Sequence, residues 1–261
     1  MPLFPRGFSF GAAAVSSAGP LSPERRTQFT YECKGTDPII GWRAWSLFSP
    51  TLSVRGLGSQ AAEPYLGWFL QSVYLTGQNA ELWLPDQAMC AWCQRCSPPP
   101  GQDCRCGIYL GYRDRLLDLP SPDLEYLPDI AMPPDGYTIK VPLRAPENCW
   151  NAPSVVGLVW GWGLIVQDEQ GWHAQYAYPL ELSLVCMECL VFEKSARPAK
   201  TVFAYRRFEG WVGIARCAHH TAEQVRRPPR GEEPPILVSA HAVQEQLLSC
   251  YEVERADGTL K

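Results

Sequence analysis

Val155-Val-Gly-Leu-Val-Trp-Gly-Trp-Gly-Leu-Ile-Val166, followed across Gln167-Asp-Glu-Gln-Gly171 by Trp172-His-Ala-Gln-Tyr-Ala-Tyr178, is the stretch that decides the fold. Two apolar arms rich in β-branched and aromatic residues, separated by a polar turn, predict a long antiparallel hairpin. Gly161 and Gly163 flank Trp162, and glycine inside a strand pattern marks a bulge or a close approach of another backbone. A β-rich core follows.

Toward the amino terminus, Ile39-Ile-Gly-Trp-Arg-Ala-Trp-Ser-Leu-Phe48 reads as a further strand, with Thr51-Leu-Ser-Val-Arg55 as its antiparallel partner across a Ser49-Pro50 turn. Residues 65–76 are apolar without a clean period, so strand and buried helix both stay open. Residues 1–34 lack a sustained period and read as a flexible leader; the short apolar run Phe8–Val15 is interrupted by Ser9 and Gly11. Asp118–Pro134 is an acidic, proline-punctuated connection.

Toward the carboxyl terminus, Thr201–Phe208 and Trp211–Arg216 flank Glu209-Gly210, a tight hairpin in which Gly210 suits positive φ. A short helix is expected from His220-Thr221 to Arg227, stopped by Pro228 and Pro229, and a terminal helix capped by Ser239 with Val243, Leu247 and Leu248 inward. The fold class is therefore α+β: a β-rich mixed architecture with antiparallel hairpins and few short helices. Its expected divisions are a leader (1–34), a β-rich body (35–182), a metal module (183–230) and a terminal helix and tail (231–261).

The chain has 261 residues, 46% of them apolar and 19% charged, with 25 Pro and 21 Gly, which describes a globular, turn-rich protein. Its net charge of -4 excludes a whole-surface field attractive to nucleic acid. The charge is unevenly spread. Residues 193–230 hold nine Lys or Arg against three Asp or Glu, a local excess of +6.

Eleven cysteines include several close pairs, a usage that favours metal ligation in a reducing, cytoplasmic compartment over disulfides. Cys186-Met-Glu-Cys189 offers two thiolates from one turn, and after the expected hairpin Cys217-Ala-His-His220 returns with two more donors at the start of a helix. Four sulfur or nitrogen donors satisfy a tetrahedral zinc, and the order knuckle, hairpin, helix resembles the treble-clef group of zinc domains. His220 gives the CxxH spacing, with His219 as the alternative ligand. A closed shell of four protein ligands leaves no position for an activated water, so this site points to stability rather than catalysis.

Cys90-Ala-Trp-Cys93-Gln-Arg-Cys96 and Cys104-Arg-Cys106 form a second cluster, split by Pro98, Pro99 and Pro100. A second zinc would use Cys90, Cys93, Cys104 and Cys106, or take Cys96 in place of one of the first pair. A redox centre or an iron–sulfur cluster is the chemical alternative, but the triple proline and irregular spacing match neither pattern. Cys33, Cys149 and Cys250 are isolated and read as small apolar side chains.

Gly41–Trp45, Cys104–Tyr109 and Gly171–Pro179 resemble motifs of an uncharacterised bacterial protein family, over about residues 40–180. The resemblance implies no activity.

Three functional classes remain. A zinc-stabilised binding or adaptor protein would use aromatic contacts, among them Trp160, Trp162, Trp172, Tyr176 and Tyr178, toward a protein partner. A nucleic-acid-binding protein would use Lys200, Arg206, Arg207, Arg216, Arg226, Arg227 and Arg230 on phosphates. An enzyme of unfamiliar type would centre on His173, near Asp168 and Glu169. The chain contains no GxSxG, HExxH or phosphate-loop motif, and no apolar run of membrane-spanning length.

Overall fold

A computed structural model describes residues 29–50, 67–73, 82–93, 96–101, 104, 106–114, 153–207, 210–226 and 235–256. The expected hairpin is its axis. β7 (Val155–Asp168) and β8 (Gly171–Leu184) pair antiparallel along their whole length, from Val155 opposite Leu184 to Asp168 opposite Gly171. Asp168 shapes the turn: its Oδ1 accepts from the Gln170 and Gly171 amides at 2.8 and 3.2 Å.

Of the two readings of the glycines around Trp162, the bulge holds, whereas Gly161 is crowded by side chains rather than by another backbone. The register slips between Trp162 and Ile165, where Gly163 adopts φ 81°, and a Cβ at Gly161 would press on Ala174 and Leu110 at 3.0 Å.

Among the described residues, five further strands dock along this hairpin, and the others build outward from one of them. On the outer edge of β7 lie β1 (Phe29–Cys33), opposite Gly163–Gln167, and β2 (Ile39–Pro50), whose Ile39–Trp45 faces Val155–Gly161. β2 also pairs with β3 (Phe69–Ser72), which pairs in turn with β4 (Leu82–Trp83). β8 pairs with β5 (Met89–Cys90) and β6 (Ile108–Gly111), and runs parallel to β12 (Glu254–Arg255). Gly111 of β6 also pairs with Trp42, so β2, β7, β8 and β6 form a closed circuit. Gly41–Trp45, Ile108–Tyr109 and Gly171–Pro179 thus meet on β2, β6 and β8.

β9 (Thr201–Arg207) and β10 (Gly210–Arg216) form the second hairpin, with β11 (Ile236–Ser239) on β9. β10 pairs with Leu47–Pro50 of β2, which joins this hairpin to the main sheet. Ser154 makes the joint: its hydroxyl accepts from the Ala215 amide at 3.1 Å and donates to the Gly213 carbonyl at 3.4 Å. Three helices are described in this part of the chain: α1 (Met187–Val191), α2 (Ala218–Arg226) and α3 (Ala240–Tyr251).

Several expectations change. Ser49-Pro50 is not a turn; both residues lie in β2 opposite Trp211 and Gly210. The partner expected at Thr51–Arg55 lies outside the described residues, as do residues 1–28 of the leader and Asp118–Pro134. β1 falls within the expected leader and is held by β7. β8 crosses the 182/183 division and β10 pairs with β2, so the strands on both sides belong to one sheet. Within 65–76 the apolar run becomes β3. Gly210 is needed for space, because a Cβ there would collide with the Ser49 carbonyl oxygen of β2.

The core is aromatic. Trp45, Trp68 and Trp83 are at most 2% exposed, and Trp45 and Trp83 meet edge to face with ring centres 5.5 Å apart. Burying one such side chain contributes about 1.5–3 kcal/mol or more. α3 seals this core with Val243, Leu247 and Tyr251, and Ser239 stands at its cap position without a side-chain cap bond. Gln244 behaves as a surrogate strand, accepting from the Leu184 amide at 2.6 Å and donating to the Leu182 carbonyl at 3.0 Å. Tyr251 donates to the Trp83 carbonyl at 2.5 Å and accepts from the Leu70 amide at 3.0 Å. Among the described residues no helix is long and apolar enough to cross a membrane.

Candidate metal centre

β8 ends at Leu184 and delivers the chain into a tight knuckle. Val185 bridges to Pro198, the Cys186 amide donates to the Arg197 carbonyl at 2.8 Å, and Cys186 caps α1 with extended backbone. Cys186 and Cys189 therefore project from one turn, and the Ser195 amide closes back on the Cys189 carbonyl at 2.9 Å. β9 and β10 then return the chain, so that Cys217 directly follows β10 and His220 lies in the first turn of α2.

Three sulfurs and one ring nitrogen converge there. His220 Nδ1 lies 3.2, 3.5 and 3.4 Å from the sulfurs of Cys186, Cys189 and Cys217, and Cys189 and Cys217 Sγ are 3.8 Å apart. All four donor atoms fall within 4.8 Å of one another. The cysteines are 0, 0 and 7% exposed. Burial pushes the Cys186 thiol up to about 12 and the Cys189 thiol higher still, so both are neutral at pH 7 unless a cation compensates them.

The two histidines differ in orientation. His219 points out to Glu223 and is largely exposed, whereas His220 turns Nδ1 inward. The outward Nε2 of His220 faces Glu193 Oε1 at 3.6 Å, and Glu193 also pairs with Arg197 at 3.2 Å. A carboxylate behind a ligand imidazole fixes its orientation and keeps the proton on the far nitrogen.

The sequence reading missed a second brace. Glu188, between the two knuckle cysteines, is 6% exposed and pairs with Arg216, itself 5% exposed, at 2.6 Å. Cys186 Sγ lies 3.5 Å from the other carboxylate oxygen, and the Arg216 guanidinium sits over Phe203 at 5.2 Å. The ion pair ties the first two thiols to the strand that presents the third. Its only sequence signal is adjacency, since each charge neighbours a cysteine.

Arg216 is accordingly no phosphate contact, because its guanidinium is enclosed. Of the other expected nucleic-acid residues, Lys200 and Arg206 are exposed. The side chains of Arg207 and Arg226, and Arg227 and Arg230 altogether, lie outside the described residues.

The second cluster comes together with one exchange of ligand. Cys93, Cys96, Cys104 and Cys106 place their sulfurs within 4.8 Å of one another. Cys90 stands apart because it belongs to β5, fixed opposite Tyr176, with its sulfur 3.6 Å from the Ala91 carbonyl oxygen. Among the described residues, two of the groups able to hold a metal ion fall on the two cysteine clusters of the sequence; a third, His219, His220 and Glu223, shares His220 with the first.

His173 sits beside the β7–β8 turn, opposite Tyr109 and Val166. Its Nε2 lies 3.7 Å from Asp168 Oδ2, whose partner oxygen shapes the hairpin turn, and its ring packs 5.4 Å from that of Tyr109. Of the expected aromatic contacts, Trp160 is 40% exposed; Trp162 stacks on Tyr176, Trp172 packs against Tyr112, and Tyr178 donates to the Tyr251 carbonyl.

Comparison with known proteins finds no matching family model, no matching curated protein and no matching solved structure.

Proposed function

We propose that Cys186, Cys189, Cys217 and His220 hold a structural zinc ion in a treble-clef-like module, and that the protein is a zinc-stabilised binding or adaptor protein. The carrying observation is the spacing of the four donors. A tetrahedral zinc, with bonds of about 2.3 Å to sulfur and 2.0–2.1 Å to nitrogen, sets sulfurs about 3.8 Å apart and each sulfur about 3.6 Å from the nitrogen. The separations here are 3.8 Å for the sulfur pair and 3.2–3.5 Å to the nitrogen. Soft thiolates with one imidazole favour zinc over magnesium or calcium.

The shell is complete and buried, so its contribution is to hold α1, the β9–β10 hairpin and α2 together. A protein partner is favoured over nucleic acid because the basic segment loses Arg216 to an internal pair, while large apolar side chains stand outside. Ile40 and Trp160, paired across β2 and β7, are 50 and 40% exposed, and Trp92 is 46% exposed. Zinc content of the full chain, purified under reducing conditions, tests the metal assignment. Cys186→Ser with Cys189→Ser should lose one ion and loosen residues 183–226; an unchanged metal content rejects it.

A further inference from the structure

The loop between β5 and β6 has an unusual construction. The two strands lie end to end on the same edge of β8, opposite Tyr176–Ala177 and Gly171–Ala174, and the chain between them leaves the sheet and returns. Residues 94–105 read Gln-Arg-Cys-Ser-Pro-Pro-Pro-Gly-Gln-Asp-Cys-Arg, and apart from the prolines and the two cysteines they contain no apolar side chain with which to anchor such an excursion. Long connections without secondary structure of their own ordinarily need a packing or ligand interaction to fix them.

What converges inside this loop is sulfur. Cys93 and Cys104 Sγ are 3.6 Å apart, too long for a disulfide and close to the sulfur separation of a tetrahedral thiolate site. The turn Gly101–Cys104 is closed by an amide-to-carbonyl bond of 3.1 Å, and the Gly101 amide donates to Cys106 Sγ at 3.3 Å. Gly101 is packed so tightly against Cys96 that a Cβ there would collide with its sulfur. The loop backbone is therefore shaped around the sulfurs.

We propose that Cys93, Cys96, Cys104 and Cys106 form a second metal centre, built independently of the first, that holds one soft divalent d¹⁰ ion, zinc or cadmium, in an all-thiolate shell. Hard cations such as magnesium and calcium are excluded by the ligand set. Four thiolates around a divalent ion leave a net charge of -2, and Arg95 and Arg105 each neighbour a ligand in the sequence. Cys90 takes no part. The two centres differ in access: all four cysteines of this one are half-buried, whereas the three of the first are enclosed. Its ion exchanges with solution faster than the one held by Cys186, Cys189, Cys217 and His220.

The test uses the full chain, reduced and loaded with zinc, by native mass spectrometry. Two ions are expected for the parent and for Cys90→Ser, and one for Cys96→Ser; a colorimetric chelator should withdraw zinc in two phases, with the fast phase missing from Cys96→Ser. Cys186→Ser separately removes the other ion, so failure of the first site is read apart from failure of this one. Cadmium-113 NMR of the unmutated protein provides a measurement that no folding defect can confuse: one resonance from four sulfurs and one from three sulfurs and a nitrogen. Absence of the four-sulfur resonance, retention of both ions by Cys96→Ser, or loss of one by Cys90→Ser overturns the proposal.

Discussion

Arg216→Ala would leave the Glu188 carboxylate enclosed without its partner. Both side chains of this pair are under a tenth exposed and their charged atoms are 2.6 Å apart, so solvent screening is slight. Removing one member of a buried pair costs about 3–5 kcal/mol, against about 0–1 kcal/mol for an exposed pair. The site sharpens the effect. Three thiolates and a zinc ion carry a net -1, and Glu188 lies against one of those sulfurs, so the uncompensated carboxylate also opposes loading of the ligands. The assay is a double-mutant cycle on the zinc-loaded protein, with denaturant unfolding of the parent, Arg216→Ala, Glu188→Gln and the combination. A loss of about 3–5 kcal/mol in Arg216→Ala is expected, with about half or more recovered when Glu188→Gln removes the orphaned charge. A loss under about 1 kcal/mol, or no recovery in the combination, refutes the buried brace.

Other consequences are open to measurement. Tyr251→Phe removes the hydroxyl that serves both the Leu70 amide and the Trp83 carbonyl, and should cost about 1–3 kcal/mol in thermal unfolding. Gln244→Ala removes the acceptor of the Leu184 amide, while the Leu182 carbonyl keeps the Ala256 amide at 3.1 Å; a loss of about 1–3 kcal/mol is expected, and a loss of only a few tenths would show that water replaces the side chain. Metal uptake should be pH-dependent. Burial holds the Cys186 and Cys189 thiols protonated in the metal-free protein at neutral pH, so binding must expel those protons. Affinity therefore rises with pH between 6 and 8, by at least about two decades per unit, and calorimetry in buffers of different ionisation enthalpy should register the proton release; pH-independent uptake contradicts this.

The parts of this fold legible in the sequence are those determined by local pattern. The β7–β8 hairpin shows itself through two apolar arms and one polar turn, and α3 through the spacing of Val243 and Leu247. β5 and β12 are two residues long and exist because β8 offers them an edge, which no local pattern records. The extent of β2 is hidden for a related reason: Ser49-Pro50 has turn chemistry, but β10 pairs with it.

The metal site divides in the same way. The donor types and spacing of the candidate site are visible, and the inward placing of His220 follows from the helix that begins at Ala218. Cys90 and Cys96 are equivalent in overlapping CxxC units, and only strand pairing at Tyr176 takes Cys90 out of reach. Arg216 looks like one cation among many in a basic segment, because its partner Glu188 lies 28 residues away across the β9–β10 hairpin.

The most direct test of the account is elemental analysis coupled to native mass spectrometry of the full reduced chain. The account predicts zinc in the folded protein, with one ion lost when Cys186 and Cys189 are both replaced by serine. A folded, reduced chain that takes up no zinc, or that keeps its full complement without those two thiols, would contradict it.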